Sequence, residues 1–429
     1  MRLGKTRRDL LIAFVSQFWF KVLGFGLLAL LARQLSQADY GKLMFALTLC
    51  GITVLVTDLG ASTDLSRRVA AAPAGARRRL EAVLSARLPL IVAYLVLLPA
   101  WVALTKRDAL AVAAAIAVYS VCKDIYRTYS SFFLGLHQIG YTVTAFGASL
   151  VVLLAGVAAG VLTGAGLAWM TGAHVLSGLV LLGVAAATTR FKVGVIHLRC
   201  GWRRMQRVFG ESVWLFVLSI AGMVHFAADT VMLGYLQPYE QVARYQAAAK
   251  LLEASQFVVR PLTLILLPVC AALAARQQWG ELRQLMHKMF AGMAVLGVAA
   301  WAFVALLALP IIRIVYTSSY DESAELLRVL YLSVPGLYVA TVAMLLASST
   351  MREKRAVFIM GLGVVLNVAL NLIAIPRYGA LGAAWVTVAS QSFIGVWLIS
   401  DAYQSVARHP QMLLGPERQL ETAMALRDD

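Results

Sequence analysis

The sequence predicts an all-α polytopic membrane protein of about twelve transmembrane helices, in two six-helix bundles related by a pseudo-two-fold axis along the membrane normal. Three observations carry that expectation. Roughly a dozen apolar runs, separated by short polar joints, fill residues 10 to 403 of the 429-residue chain. Hydrophobic residues make up 61% of the composition and charged ones 14%, with a mean hydropathy of +0.78. The runs also lack the strict alternation of a barrel strand, and inside lipid only helices and closed barrels satisfy their own backbone hydrogen bonds.

An apolar run of about 20 residues matches the hydrocarbon thickness at helical rise. The spans fall at 10–32, 43–64, 87–104, 109–134, 142–163, 166–188, 212–236, 243–275, 288–309, 326–349, 356–376 and 380–403. The first follows a basic start, as a secretory signal does. Lys21 interrupts it, however, and no clean small-residue cleavage site follows, so it reads as a span. In the fifth, Gly156, Gly160 and Gly164 repeat at a spacing that permits close helix approach. The eighth is too long for one straight crossing and carries Pro261 and Pro268, so a kink or an interfacial extension is expected. Pro335-Gly336 marks a bend in the tenth. Asn367 and Asn371, four apart in the eleventh, are expected to hydrogen-bond across a helix interface. Cys50, Cys122, Cys200 and Cys270 have no paired spacing and read as small apolar fillers, neither disulfides nor metal ligands.

The net charge of +17 is an orientation signal, not a nucleic-acid footprint. With the N-terminus in the cytoplasm, 25 Lys and Arg fall on the cytoplasmic side, 8 on the other and 5 within spans. Arg67, Arg68, Arg77, Arg78, Arg79 and Arg87 form one cytoplasmic group in this count. Such a bias in short joints is the positive-inside rule, and it places both termini in the cytoplasm.

An internal echo divides the chain. The segment from Ala32 to Leu43, containing Asp39-Tyr40-Gly41-Lys42, follows the first span; the segment from Gly234 to Tyr245 follows the seventh. Gly164-Ala165-Gly166-Leu167-Ala168 precedes the sixth span, as Gly379-Ala380-Leu381-Gly382-Ala383-Ala384 precedes the twelfth. Six helices separate each pair, an even number, so the halves share one orientation; transporters commonly place a central site between such repeats. The expected organisation is an N-terminal bundle over 1–205, a C-terminal bundle over 206–404 and a cytoplasmic tail over 405–429.

On Leu31-Ala32-Arg33 with Asp39-Tyr40-Gly41, on Asp58-Leu59-Gly60 followed by Arg67-Arg68, and on the turn from Gly379 to Ala384, the chain resembles the oligosaccharide flippase family. That family, which includes the O-antigen and exopolysaccharide flippases, belongs to the multidrug/oligosaccharidyl-lipid/polysaccharide exporter superfamily. The resemblance runs the full length in helix count and joint pattern. It departs at Ala243, where the second half of the family usually has Gly. It implies export of lipid-linked or polymeric glycans by alternating access; the chain is expected to be a bacterial cytoplasmic membrane protein that acts as a monomer, with a glycan polymerase and other assembly proteins as partners.

Charged groups inside the bilayer each need an account, because insertion costs several kcal/mol per charge. The fourth span is the densest. Lys123 and Arg127, four apart, share one helical face, and Asp124 lies three before Arg127, within reach of an ion pair. Lys250 and Glu253 in the eighth span have the same spacing. Lys21, Lys123, Arg127, Lys250 and Arg260 are therefore the candidate cations of a hydrated cavity that receives the pyrophosphate of a polyprenyl-linked oligosaccharide. Arg can engage two phosphate oxygens at once. Tyr119, Tyr126 and Gln17 are candidates for sugar contacts. Asp58, Asp124, Asp229 and Glu253 are candidate structural or coupling charges. His174 and His225 titrate near neutrality and are candidate proton sites, although a lone membrane histidine more often serves packing.

No phosphate-binding loop, metal-spaced histidine pair or nucleophile elbow occurs. The chain is expected to be no enzyme, to use no cofactor or metal, and to draw on an ion gradient, the membrane potential or removal of product. Two rival readings stand beside the flippase: a drug or cation antiporter of the same superfamily, which calls for acidic groups in its cavity, and a membrane-embedded enzyme of glycan assembly.

Overall fold

Every expected span falls on a helix. The computed structural model describes residues 3–199, 201–350 and 353–407, and among them there is no strand. The helices are α1 (Leu3–Gln34), α2 (Gln37–Thr53), α3 (Ala61–Ala71), α4 (Ala76–Thr105), α5 (Leu110–Gly135), α6 (Gly140–Thr163), α7 (Leu167–Val193), α8 (Trp202–Leu236), α9 (Tyr239–Ala275), α10 (Trp279–Val315), α11 (Ser323–Tyr331), α12 (Val334–Ser349) and α13 (Glu353–Ala407). Seven stretches among the described residues are long and apolar enough to cross a bilayer, and α11 with α12 add an eighth as one bent span. One of the seven is the long α13, which Gly379 (φ 57°, ψ −137°) breaks into the two limbs expected as spans eleven and twelve. Side chains such as Leu104, Leu162 and Leu306 are at least 80% exposed on these helices, an arrangement suited to lipid and not to water.

Two expected spans are broken, the second where the sequence reads it as continuous and the tenth next to the bend that Pro335-Gly336 marks. The second, 43–64, consists of α2, a 3-10 turn over Val54–Thr57, and α3 after Leu59 and Gly60, whose φ angles are 43° and 79°. A positive φ at a bulky residue such as Leu59 marks a held, strained backbone. The tenth, 326–349, bends by 43° between α11 and α12. Pro335 sits in the first turn of α12, where its missing N–H costs nothing. By contrast, α9 runs unbroken through 37 residues. At helical rise that is about 55 Å, longer than the hydrocarbon core, so it extends past the interface.

The glycine-led echoes land on real helix breaks. Gly164 and Gly379 both take positive φ, 66° and 57°, a conformation glycine adopts without steric penalty. Gly156 and Gly160 lie where α6 meets Ala173, Trp169 and Met170 of α7, with no room for a Cβ. The asparagines pair as expected. Asn367 donates to Ser390 Oγ at 3.2 Å, joining the two limbs of α13, and Asn371 donates to Asn367 at 3.1 Å. Cys50, Cys122 and Cys270 are buried free thiols; Cys200 lies outside the described residues.

The chain divides into two compact units, residues 1–246 and 247–429, whereas the sequence sets the repeat boundary at 205/206. The difference arises because α8 packs against α2, α3 and α4 and Ser212 donates to the Leu59 carbonyl at 2.8 Å. The expected tail beyond residue 407 lies outside the described residues. Unit 1 is centred on Leu65, Leu80, Leu84, Phe132, Phe133 and Leu181. Unit 2 is centred on Leu282, Met286, Phe290, Leu346 and Ile359.

Within unit 1 the two echoed joints meet. A Cβ on Gly41 would overlap the Tyr239 carbonyl, the Lys42 and Lys106 ammonium groups each sit 5.4 Å from the Tyr239 ring centroid, and Arg244 Nε donates to Gln37 at 3.2 Å. Gly41→Ala should therefore destabilise the purified protein by roughly 1–3 kcal/mol. Gly26→Ala on α1, where nothing lies within 4 Å, should be neutral or stabilising by up to about 1 kcal/mol. Thermal unfolding in detergent reads both, and equal shifts for the two would refute the close contact.

Candidate functional site

The buried face of α4 repeats as Leu80, Leu84, Arg87, Ile91, Tyr94 and Leu98. That three–four spacing places an arginine at a core position. Arg87 is 0% exposed and is the largest fully buried side chain among the described residues. An arginine stays charged in a protein, and an unpaired buried charge is prohibitive, so its surroundings must supply negative groups and acceptors.

They do so from two elements. Asp58 Oδ1 lies 3.2 Å from Arg87 Nη1, and Asp124 Oδ2 meets Nη2. Nε donates to the Thr57 carbonyl at 3.1 Å, Nη2 to the Thr57 hydroxyl at 3.2 Å, and Nη1 to the Thr128 hydroxyl. The break in the second span is what makes Asp58 and the Thr57 carbonyl available. Asp58 Oδ1 accepts from the backbone N–H of Ser62 at 3.2 Å and from its hydroxyl at 2.5 Å, capping the first turn of α3. The Thr57 hydroxyl also donates to Asp124 Oδ2 at 2.8 Å.

Arg127 closes the cluster on its outer side. Its Nη2 lies 3.1 Å from Asp58 Oδ2 and 2.7 Å from Asp124 Oδ1. Each carboxylate therefore bridges both arginines, and the four charges cancel. The carboxylate side chains are 4% exposed, but Arg127 is 39% exposed. One helical turn earlier on α5, Lys123 is exposed, with its ammonium 5.9 Å from the Tyr119 ring centroid, a cation–π distance. Tyr119 in turn meets His174 edge-on at 5.5 Å. With Arg127 engaged by both carboxylates, Lys123 is the cation of this face that stands outside the network.

The candidates from sequence distribute as follows. Asp58, Asp124 and Arg127 converge in one network, and Lys123 and Tyr119 flank it along α5. The Asp124–Arg127 and Lys250–Glu253 pairs read from spacing both form, the latter at 2.9 Å to each carboxylate oxygen. Lys250 and Glu253 belong to unit 2. The Tyr126 hydroxyl donates to the Thr142 carbonyl at 2.8 Å, leaving its ring for contacts. That ring borders Phe146, which packs on Phe20 of α1, beside the exposed Lys21. Asp229 is buried and accepts from Tyr245 at 2.6 Å. His174 is buried with Nδ1 donating to the Met170 carbonyl at 2.8 Å, a packing role. The side chains of Gln17, His225 and Arg260 lie outside the described residues. Among the described residues no group of three His, Cys, Asp or Glu is placed to hold a metal ion.

Arg87 corrects the sequence reading, which counts it with the cytoplasmic arginines that precede the third span. The signal was its register. It falls in phase with the leucines before it and with Ile91, Tyr94 and Leu98 after it, while Arg77, Arg78 and Arg79 do not share one face. Replacing Arg87 with methionine should leave two buried carboxylates facing one arginine and cost roughly 3–5 kcal/mol, while Ser62→Ala, removing one hydroxyl bond to the Asp58 carboxylate, should cost about 1.5–3 kcal/mol. Unfolding temperature and folded yield measure both. An Arg87→Met protein as stable as the parent would refute the ionic role.

The comparisons agree with this architecture. Residues 6–274 match the family described as "Polysaccharide biosynthesis protein". Among curated proteins no sequence matches the chain. Among solved structures, the chain is similar to an inward-facing multidrug resistance MATE family transporter of the MOP superfamily, at 13% identity and TM-score 0.72, covering 90% of this chain and 94% of that one. It is also similar to the lipid II flippase MurJ in an inward closed conformation, at 13% identity and TM-score 0.70, covering 91% and 87%. A third similar structure is a MOP superfamily transporter from Pyrococcus furiosus whose binding pocket is described as having reverse polarity, at 16% identity and TM-score 0.57, covering 93% and 94%. With well over half its length matched, the chain belongs to the polysaccharide biosynthesis protein family, and its fold is that of the MOP superfamily transporters.

Proposed function

We propose that the protein is a flippase for a polyprenyl-pyrophosphate-linked oligosaccharide, a repeat unit of O-antigen, capsule or exopolysaccharide. It acts in the bacterial cytoplasmic membrane with both termini in the cytoplasm, and it hands its product to a glycan polymerase on the far side. The observation that carries the reading is the outer face of α5, where the exposed Lys123 and the part-exposed Arg127 share one side, with aromatic rings at Tyr119 and Tyr126. Phosphate oxygens leaving water require cationic partners, and a guanidinium can meet two of them together. Rings beside such cations suit sugars, which present apolar faces between hydroxyls. The head group rests against this face, the lipid tail remains in the bilayer, and alternating exposure of the face moves the head group across. Membership in a polysaccharide biosynthesis family supports a glycan cargo over a drug.

The antiporter reading is less well supported by the same face. A cationic drug needs an available carboxylate, yet Asp58 and Asp124 are each held by two arginines and nearly buried. In cells that depend on this protein for glycan export, Lys123→Ala and Arg127→Ala should each lower export by roughly tenfold or more, as expected for losing a charge-assisted contact worth about 1.5–3 kcal/mol. Lipid-linked single repeats should build up on the cytoplasmic face at unchanged protein level. Unaltered export in both variants would sink the proposal. Unpolymerised repeats outside the cell would point to a glycan-assembly enzyme, and drug hypersensitivity without a glycan defect to an antiporter.

A further inference from the structure

The two arginines of the network hold the same carboxylates but are differently free. Arg87 is buried on all sides and spends Nε, Nη1 and Nη2 on the Thr57 carbonyl and hydroxyl, the Thr128 hydroxyl and both aspartates. It cannot follow a ligand. Arg127 makes its shortest contact to both carboxylates through Nη2. Its Nε is buried and has no hydrogen-bond partner among the described residues. The Nε–Nη edge of a guanidinium is one that a phosphate takes with two parallel bonds. Asp58 and Asp124 are each split between the two arginines, one oxygen to each.

We infer that the head-group phosphate binds by exchange at Arg127. The phosphate oxygens take the guanidinium edge as Asp58 and Asp124 give up their outer contacts and remain held by Arg87. Arg87 is the positioning residue of this step. Its charge keeps two carboxylates neutralised after Arg127 turns to the ligand, and its complete burial keeps it from binding the ligand itself. Without it, both carboxylates would fall to Arg127, repel an incoming anion and retain the arginine. The site thus selects oxyanions able to outbid a carboxylate by double contact, such as diphosphates, over singly coordinating anions. The charged groups facing Arg127 in this network are Asp58 from the break in the second span, Asp124 from α5 itself and, behind them, Arg87 from α4. Lys123 lies one turn away. No covalent step is involved, and the proton count is unchanged.

The inference rests on the proposed head-group contact at Arg127, and the experiment separates the two. The full-length protein in nanodiscs is titrated with inorganic pyrophosphate and with farnesyl diphosphate at fixed pH and ionic strength, with chloride as the competing simple anion. Arg127→Gln should abolish binding of both probes; retained binding there, or no binding by the parent protein, overturns the head-group reading and the exchange with it. Given that loss, Arg87→Gln should weaken binding by at least about tenfold, because one uncompensated carboxylate lies next to the anion. Asp58→Asn and Asp124→Asn should each tighten it, since each removes a competitor for Arg127. The charge-balanced double variant Arg87→Gln with Asp58→Asn should return to within about threefold of the parent, a factor below 1 kcal/mol. The same pairing also relieves the uncompensated charge in the fold, so binding is compared on variants shown to be folded, and the tightening in the two asparagine variants separates exchange from a structural defect. If the double variant binds as weakly as Arg87→Gln alone, or if both asparagine variants bind no tighter than the parent while unfolding at temperatures that show them folded, the exchange is wrong and the head-group contact still stands.

Discussion

A guanidinium shut away from water inside a helical bundle constrains everything that touches it. Arg87 sits in phase with the leucine face of α4, so packing carries it inward whatever its charge. Two carboxylates are then required on neighbouring elements, and a continuous second span would place Asp58 on a regular helix with its Thr57 carbonyl already bonded. The turn at Val54–Thr57 and the positive φ of Leu59 and Gly60 release that carbonyl and swing Asp58 to the start of α3. Strain at Leu59, of order 1–3 kcal/mol, is sustained because the ion pairs and the helix cap both depend on it. A second arginine must then balance the second carboxylate, and Arg127 does so from the outer side. Burial of one cation thus accounts for a broken helix, a cap, and the placement of the exposed pair on α5.

The joints obey a different constraint, which is close approach. Where the first echoed joint meets the second, Gly41 leaves room for the Tyr239 carbonyl, and Gly234 leaves room for the Phe45 ring. The second joint carries Ala243 at the position where glycine is expected from the family resemblance. It is fully buried, so a methyl group fits there. Contact between like joints needs only one of the two to lack a side chain, which removes the force of that departure as an argument against the resemblance.

Helix number, the two intrahelical ion pairs and the small-residue seam between α6 and α7 were legible in the sequence, because each depends on spacing within one segment. Hydropathy finds the spans, three-residue spacing joins Asp124 to Arg127, and four-residue spacing aligns Gly156 with Gly160. What spacing along one helix cannot give is the identity of partners far apart in the chain. Asp58, Arg87 and Asp124 come from three segments, and nothing local announces their meeting. Even so, Arg87 was half visible. Its phase among apolar residues conflicted with its place in a basic cluster, and the positive-inside count absorbed it because that rule weighs charges by loop and not by helical face. The break at Asp58-Leu59-Gly60 was hidden for a related reason: apolar residues continue on both sides, so hydropathy reads through it. The division at residue 246 was hidden because α8, which the expected repeat assigns to the second half, packs against α2, α3 and α4.

A buried ionic cluster is weak evidence for stability, since a well-packed apolar core of the same volume is often as stable. Its retention in this chain calls for another reason, and the arrangement offers one. The cluster is neutral as a whole, so it can lie buried within a helical bundle without a counter-ion, yet one of its four members remains part-exposed and has a buried nitrogen with no partner among the described residues. A lone arginine in that position would bind any anion and would be charged when empty, while a fully enclosed quartet would bind nothing. In the proposed exchange, with the carboxylates tethered to Arg87 from behind, the empty site stays neutral and the bound site carries only the charge of its ligand. For a carrier whose cargo is a diphosphate, that difference matters most on the return step. The empty face must change exposure without dragging a bare cation through a low-dielectric region, where the desolvation penalty runs to several kcal/mol per ion. Lys123, exposed and braced on Tyr119, stands outside that balance, and its ammonium is compact and strongly hydrated. In the proposed function it draws a phosphate in, while Arg127 holds it.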